Sequence, residues 1–189
     1  LDLEIKGENQ EINNIITHLP ENIQTICSPF IANGKITFQS SLKGLMNKNN
    51  NPLFEMNYEI KEGGVKLKSM PFELHNIQMN GAVSNGEDRN FKSTKIVSNL
   101  FKAKTKNGYI DGKFILSDLN NYFLKSQFKS SWSLTEVNKY FKESAFIGLK
   151  GRLFTNTNYK GNIAFDSRFK RMFLNANHKS DVKLENVKF

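Results

Sequence analysis

Apolar and polar residues alternate with period two along most of this chain. Ile36, Phe38, Ser40 and Leu42 oppose Lys35, Thr37, Gln39 and Lys43, and Phe54, Met56, Tyr58 and Ile60 oppose Glu55, Asn57, Glu59 and Lys61. The pattern returns in Ile77-Met79-Gly81-Val83, and in Phe101-Ala103-Thr105 against Lys102, Lys104 and Lys106. It continues through Ile110-Gly112-Phe114-Leu116, Leu124-Ser126-Phe128-Ser130-Trp132 and Leu149-Gly151-Leu153, then through Ile163-Phe165 and Val182-Leu184. Such alternation predicts antiparallel strands with one dry face and one wet face. The expected class is mainly β with two short helices: a large curled antiparallel sheet, either an open groove or a flattened barrel or sandwich.

The two helices are expected where the period changes. From Gln10 to about Cys27, residues Ile12, Ile15, Ile16 and Leu19 fall on one helical stripe that Ile23 and Ile26 prolong. Asn9 is its expected N-cap, and Pro20 should kink it or start a second helix. From Leu134 to Lys142, Leu134, Val137 and Phe141 form a stripe, Ser133 and Glu136 read as a capping box, and Trp132 with Val137 as a hydrophobic staple. Asn33-Gly34, Gly63-Gly64, Asn85-Gly86 and Asn107-Gly108 read as turns. Asn80-Gly81 reads as a turn or a bulge, since alternation runs across it. The polar stretch from Asn47 to Pro52 reads as a loop.

Each helical stretch is followed by a glycine-led strand, Gly34-Lys35-Ile36 in one case and Gly148-Leu149-Lys150 in the other. Residues 1–132 therefore read as a first helix-plus-meander module. Residues 133–189 read as the start of a second, continuous with the same sheet. A start without Met and an end in mid-alternation predict a fragment of a longer protein.

About ten strands spaced by about 4.8 Å extend nearly 50 Å, whereas a helix of about 15 residues covers only about 22 Å. Two short helices cannot cover that apolar face. It must pack on itself, the commoner outcome for such a pattern, or stay open to something apolar that is not protein.

Composition narrows the function classes. Leu, Ile, Val and Phe make up 54 of the 189 residues, enough for a folded core. The longest apolar run, Ala145 to Leu149, is far below the roughly 20 residues that cross a bilayer as a helix. Cys27 is the only cysteine, which excludes an internal disulfide and a cysteine metal cage. His18, His75 and His178 have no ligand spacing, and the acidic residues are scattered over the strands, so neither metal, cofactor nor enzymatic chemistry is expected. The net charge of +9 with 16 Phe and 5 Tyr invites a nucleic-acid reading. It is not favoured, because most aromatics alternate onto the dry face and the lysines onto the wet one.

The order and spacing of several segments resemble the AsmA-like proteins of Gram-negative bacteria. These are Thr17-His18-Leu19-Pro20-Glu21, the Asn33-to-Phe38 strand with its Leu42-Lys43-Gly44 ending, Asn51-Pro52 with the strand from Leu53 to Ile60, and Gly63-Gly64-Val65. Asn76 to Gly86, Ser117 to Leu124 and the helix from Leu134 to Phe141 complete the series. The resemblance implies a curled, elongated sheet with a greasy groove. It also implies a periplasmic protein whose parent is anchored in the inner membrane through an N-terminal helix outside this sequence, with a role in outer-membrane biogenesis and intermembrane lipid transport. It carries over no catalytic residue. On this reading Phe38, Phe54, Met56, Tyr58, Ile60, Phe114 and Phe128 are the expected contacts for phospholipid or other acyl chains, and Lys102, Lys104 and Lys106 the expected contacts for headgroups. The competing expectation is a structural β module whose dry face is filled by its own second layer.

Overall fold

The computed structural model describes residues 1–18, 21–68, 73–141, 148–165 and 171–188. Strand β1 (Asp2–Glu11) leads into helices α1 (Ile12–His18) and α2 (Glu21–Cys27). A meander follows: β2 (Phe30–Lys43), β3 (Leu53–Leu67), β4 (Glu73–Ser84), β5 (Lys95–Lys104), β6 (Tyr109–Ser117) and β7 (Phe123–Ser133). Helix α3 (Leu134–Phe141) then precedes β8 (Lys150–Phe165) and β9 (Arg171–Lys188).

The strands form one nine-stranded antiparallel sheet whose spatial order is the chain order, and it is not closed into a barrel. The class is mainly β, as the alternation predicts. The barrel or sandwich alternative is not realised among the described residues, because β1 and β9 do not pair and all nine strands belong to one sheet. The sheet also runs unbroken across residue 133, since β7 pairs with β8 from Phe123↔Asn162 to Ser133↔Arg152.

A single layer leaves a chain unusually exposed. Its accessible surface is 12744 Å², against about 9,200 Å² for a compact monomer of this mass. The fully covered core is correspondingly small. Leu74, Ile77 and Ala103 form its one cluster among the described residues, with Val65, Met79, Phe101 and Ile110 packed around them, while Tyr58, Leu134, Val137, Tyr159 and Ile163 are buried elsewhere.

Several local expectations change. The first helical stretch holds two helices, the second of the two outcomes expected at Pro20; Leu19 and Pro20 lie outside the described residues, as does Lys142 at the end of α3. Asn9 is not an N-cap. Strand β1 continues through Glu11, and Asn9 sits at a register shift with φ 52°, its N–H donating to Thr37 Oγ1 at 3.2 Å. Asn33-Gly34 and Gly63-Gly64 are not hairpin turns. They face each other inside β2 and β3, where Gly34 adopts φ 108° and the pairing shifts between Asn33 and Lys35. A Cβ on Gly34 would stand 2.6 Å from Gly63 Cα, so only two glycines permit this approach. Asn80-Gly81 is not a turn but lies opposite a bulge: Asn80 pairs with Leu100 and Gly81 with Ser98, leaving Asn99 of β5 as the extra residue. Asn107-Gly108 does close a hairpin, where Thr105 N–H donates to Gly108 C=O at 3.0 Å.

One register shift in each of β1, β3 and β4 falls towards the helix-bearing end of the sheet, at Asn9, Glu62 and Asn76, each with φ between 50° and 55°. A bulge bends its strand and raises local twist. Aligned bulges therefore bend the sheet along one line, in the region where α1 packs on β1 and β2 and α3 on β7 and β8.

Candidate functional site: an apolar sheet face

Cross-strand register assigns every strand residue to a face. One row of partners runs Gly7, Phe38, Tyr58, Gly81, Ser98, Phe114, Ser126, Tyr159, His178. The row beside it runs Ile36, Ile60, Met79, Phe101, Gly112, Phe128, Thr157, Ser180. On the other side lie Ile5, Ser40, Met56, Val83, Ile96, Leu116, Leu124 and Gly161, with Leu42 and Phe54 beyond. All seven expected acyl contacts, Phe38, Phe54, Met56, Tyr58, Ile60, Phe114 and Phe128, therefore share one face. Tyr58 is buried, and the other six are half-buried.

Glycines on this face give room to aromatic rings from the neighbouring strand. A Cβ on Gly7 would collide with the Phe38 ring, and a Cβ on Gly112 would meet Phe128 and the Gln127 carbonyl. The Phe128 ring lies across Gly112 and reaches Phe101 two strands away, with centroids 5.8 Å apart and planes at 80°. Phe114 completes the cluster at 6.2 Å from Phe101 and 6.4 Å from Phe128. The two edge-on contacts of Phe101 suit the ring quadrupoles, while Phe114 and Phe128 are tilted at 37°. Tyr58 likewise extends over Gly81 and donates its hydroxyl to the Val97 carbonyl on β5 at 3.0 Å. Large side chains thus lie along the sheet surface instead of rising from it, covering backbone that no second layer covers.

Polar groups on this face are short and locally satisfied. Ser98, 1% exposed, donates to the Leu100 carbonyl at 2.9 Å. Ser130 accepts from Trp132 Nε1 at 2.6 Å and shares a hydrogen bond with Thr155 at 2.7 Å. A serine bonded within the sheet leaves an oily surface largely oily.

Burial pushes the Tyr58 phenol up to about 12, with a hydrogen bond from Ser98 acting weakly the other way. An acid whose folded pKa is raised contributes stability below its unfolded pKa, near 10, and loses it as pH climbs towards 12. Alkaline denaturation should therefore show a fall in stability between these pH values that is absent in Tyr58→Phe. An equal fall in both proteins would mean that the phenol is not held neutral by the sheet. Burial also raises the thiol of Cys27 at the end of α2.

Helix α3 packs against β7 and β8. Leu134 and Val137 are buried, and the buried Glu136 accepts from Thr105 Oγ1 at 3.0 Å and from the N–H groups of Lys106 and Asn107, each at 3.2 Å. Glu136 thus fastens the helix to the β5–β6 hairpin tip, which Arg152 also holds through the Asn107 carbonyl at 3.4 Å.

The lysines expected at headgroups lie elsewhere. Lys102 and Lys104 project from the opposite, polar face, in rows with Asp111 and Tyr109, and Lys102 Nζ stands 3.9 Å from Asp111 Oδ2. Lys106 belongs to the hairpin tip. The structure therefore separates Lys102 and Lys104 from the seven apolar residues by the thickness of the sheet. The missed members of the face are Met79, Phe101 and Ile96, together with the ring-seating glycines. Met79, Phe101 and the glycines fall in phase with an apolar alternation, whereas Ile96 is out of phase with Phe101 because the register shifts between Ser98 and Phe101.

Among the described residues there is no cluster of three His, Cys, Asp or Glu side chains that could hold a metal ion, and no helix is long and apolar enough to cross a membrane. Comparison with protein-family models, curated proteins and solved structures finds no match to this chain.

Proposed function

We propose that this chain is a non-enzymatic β-groove module that holds lipid acyl chains against its apolar face. It would be part of an AsmA-like periplasmic protein whose parent is anchored in the inner membrane and moves lipid in outer-membrane biogenesis. The observation that carries the reading is the single open sheet, whose aromatic and aliphatic rows from β2 to β7 stay partly exposed except at the buried Tyr58. Burial of each acyl CH₂ contributes about 0.8 kcal/mol. A hydrocarbon chain lying across these rows gains grip without a fixed polar contact, so it can slide from row to row. The self-filled alternative loses its main support, because no second sheet layer lies over the face among the described residues.

The test is native mass spectrometry of protein purified without detergent, followed by binding of a fluorescent fatty acid to the delipidated chain. Co-purifying phospholipid and saturable binding are expected. Phe114→Glu or Phe128→Glu, which place a charge among the rings, should weaken binding by about tenfold or more. Lys102→Ala with Lys104→Ala should leave it unchanged, since these side chains are on the other face. A chain that carries no lipid and binds no fatty acid would remove this reading.

A further inference from the structure

The sequence contains four Asn-Gly pairs, Asn33-Gly34, Asn80-Gly81, Asn85-Gly86 and Asn107-Gly108. An asparagine followed by glycine can cyclise, because no side chain on the glycine keeps its nitrogen from the asparagine Cγ. The reaction needs an amide side chain free to swing and a backbone free to follow. Three of the four pairs are held against it. Asn85 accepts from Phe54 N–H at 2.8 Å and donates to the Pro52 carbonyl at 2.9 Å, while Gly86 N–H donates to Ser84 Oγ at 3.1 Å. Asn80 is half-buried in β4 between Glu59 and Leu100, and the Val97 carbonyl closes on Gly81. Asn33 pairs with Gly64 across β2 and β3, where Gly34 rests against the Gly63 backbone.

Asn107 is placed differently. It lies at the tip of the β5–β6 hairpin, outside any strand, and is exposed. Among the described residues no hydrogen bond holds its side-chain amide or the Gly108 N–H. We infer that Asn107 is a site of spontaneous deamidation, and that its isoaspartyl product loosens the clasp between this hairpin and α3. The Gly108 nitrogen attacks Asn107 Cγ. The N–Cγ bond forms, the Cγ–Nδ2 bond breaks, and ammonia departs with the Gly108 amide proton. Water then opens the succinimide at either carbonyl, so no oxidant or reductant is needed. Opening at Cγ leaves an aspartyl residue. Opening at the backbone carbonyl leaves an isoaspartyl residue, with the chain running through the former side chain.

The surroundings make the second product consequential. Asn107 N–H donates to Glu136 Oε2 at 3.2 Å, and its carbonyl accepts from Arg152 at 3.4 Å. Gly108 C=O accepts from Thr105 N–H at 3.0 Å, and a Cβ on Gly108 would collide with the Ser131 carbonyl. An isoaspartyl linkage lengthens the backbone by a methylene at this tight point. It also turns the Arg152-bound carbonyl into a carboxylate on the residue whose N–H binds Glu136, and like charges held that close disfavour each other. The aspartyl product keeps the backbone path and should disturb the clasp less. The inference does not depend on what the apolar face binds.

The test follows the four sites by peptide mass spectrometry, with fragmentation that separates isoaspartate from aspartate, in chain held at mildly alkaline pH. In the folded chain position 107 should convert first, and the other three should lag by about tenfold or more because they must first open locally. In guanidinium chloride all four should convert within about threefold of one another, since that protection is gone. Asn107→Gln should remove the early conversion and keep the parent circular dichroism. The converted chain has lost a unit of positive net charge, so cation exchange separates it. Its isoaspartyl fraction should exchange the Lys106 N–H, which Glu136 holds at 3.2 Å, about tenfold faster than the parent. Asn107→Asp, which adds the charge without lengthening the backbone, should speed that exchange less. Earlier conversion at position 33, 80 or 85, equal rates at all four sites in the folded chain, or Lys106 exchange in the isoaspartyl fraction no faster than in Asn107→Asp would each overturn the inference.

Discussion

Gly81→Ala is expected to cost about 2–4 kcal/mol, the range of severe overpacking. Gly81 sits where the β4–β5 register shifts, and a Cβ there would collide with the Val97 carbonyl, with Tyr58 Oη a further contact at 3.0 Å. The obstacle is backbone, which cannot swing aside as a side chain can. Tyr58→Phe should therefore not rescue the variant. Gly7→Ala offers the contrast, since its Cβ would meet the tip of the Phe38 ring and the Gln10 side chain. Its cost should be smaller, and Phe38→Leu should recover most of it. Urea unfolding with unchanged m-values would compare the variants directly. Equal costs at both glycines would show that ring seating, and not backbone approach, sets the penalty.

Glu136→Ala should destabilise the fold by about 2–3 kcal/mol, because hydrogen bonds to a charged group are worth more than neutral ones and a partly buried donor left alone keeps its desolvation cost. Three donors depend on this carboxylate: Thr105 Oγ1 and the N–H groups of Lys106 and Asn107. Glu136→Gln keeps the shape but replaces one acceptor oxygen by a donor facing N–H groups, and should recover less than half of the loss. Hydrogen exchange gives the local check, with faster exchange expected at Lys106 and Asn107. A variant of wild-type stability would mean that the helix is held by Leu134 and Val137 alone.

The strands were legible because period two is imposed by the pleat itself. Phe54, Met56, Tyr58 and Ile60 fall on one face in any register. Register also follows from this phase, so the seven expected contacts could be placed together without knowing which strands pair. The glycines were harder to read. Asn33-Gly34 looks like a hairpin turn, yet its partner is Gly63-Gly64, and nothing local announces that two such pairs will meet across strands. Glu136 shows the same limit. Its spacing from Ser133 suggests a cap within one helix, while its carboxylate reaches a hairpin some 30 residues earlier. The choice between an open sheet and a closed sandwich is likewise invisible in alternation, which specifies that a face is dry but not what dries it.

Chain order and spatial order coincide in this sheet, and that has a consequence for its growth. Each strand pairs in the sheet only with its sequence neighbours among the described residues. Stability then accumulates strand by strand, as in repeat proteins. A hairpin could be added or lost within the meander without rerouting any connection, because two antiparallel strands return the chain to the side from which it left. Such an architecture uncouples length from cross-section: the number of hairpins sets how far the apolar face reaches, while the width of each strand sets what it can hold.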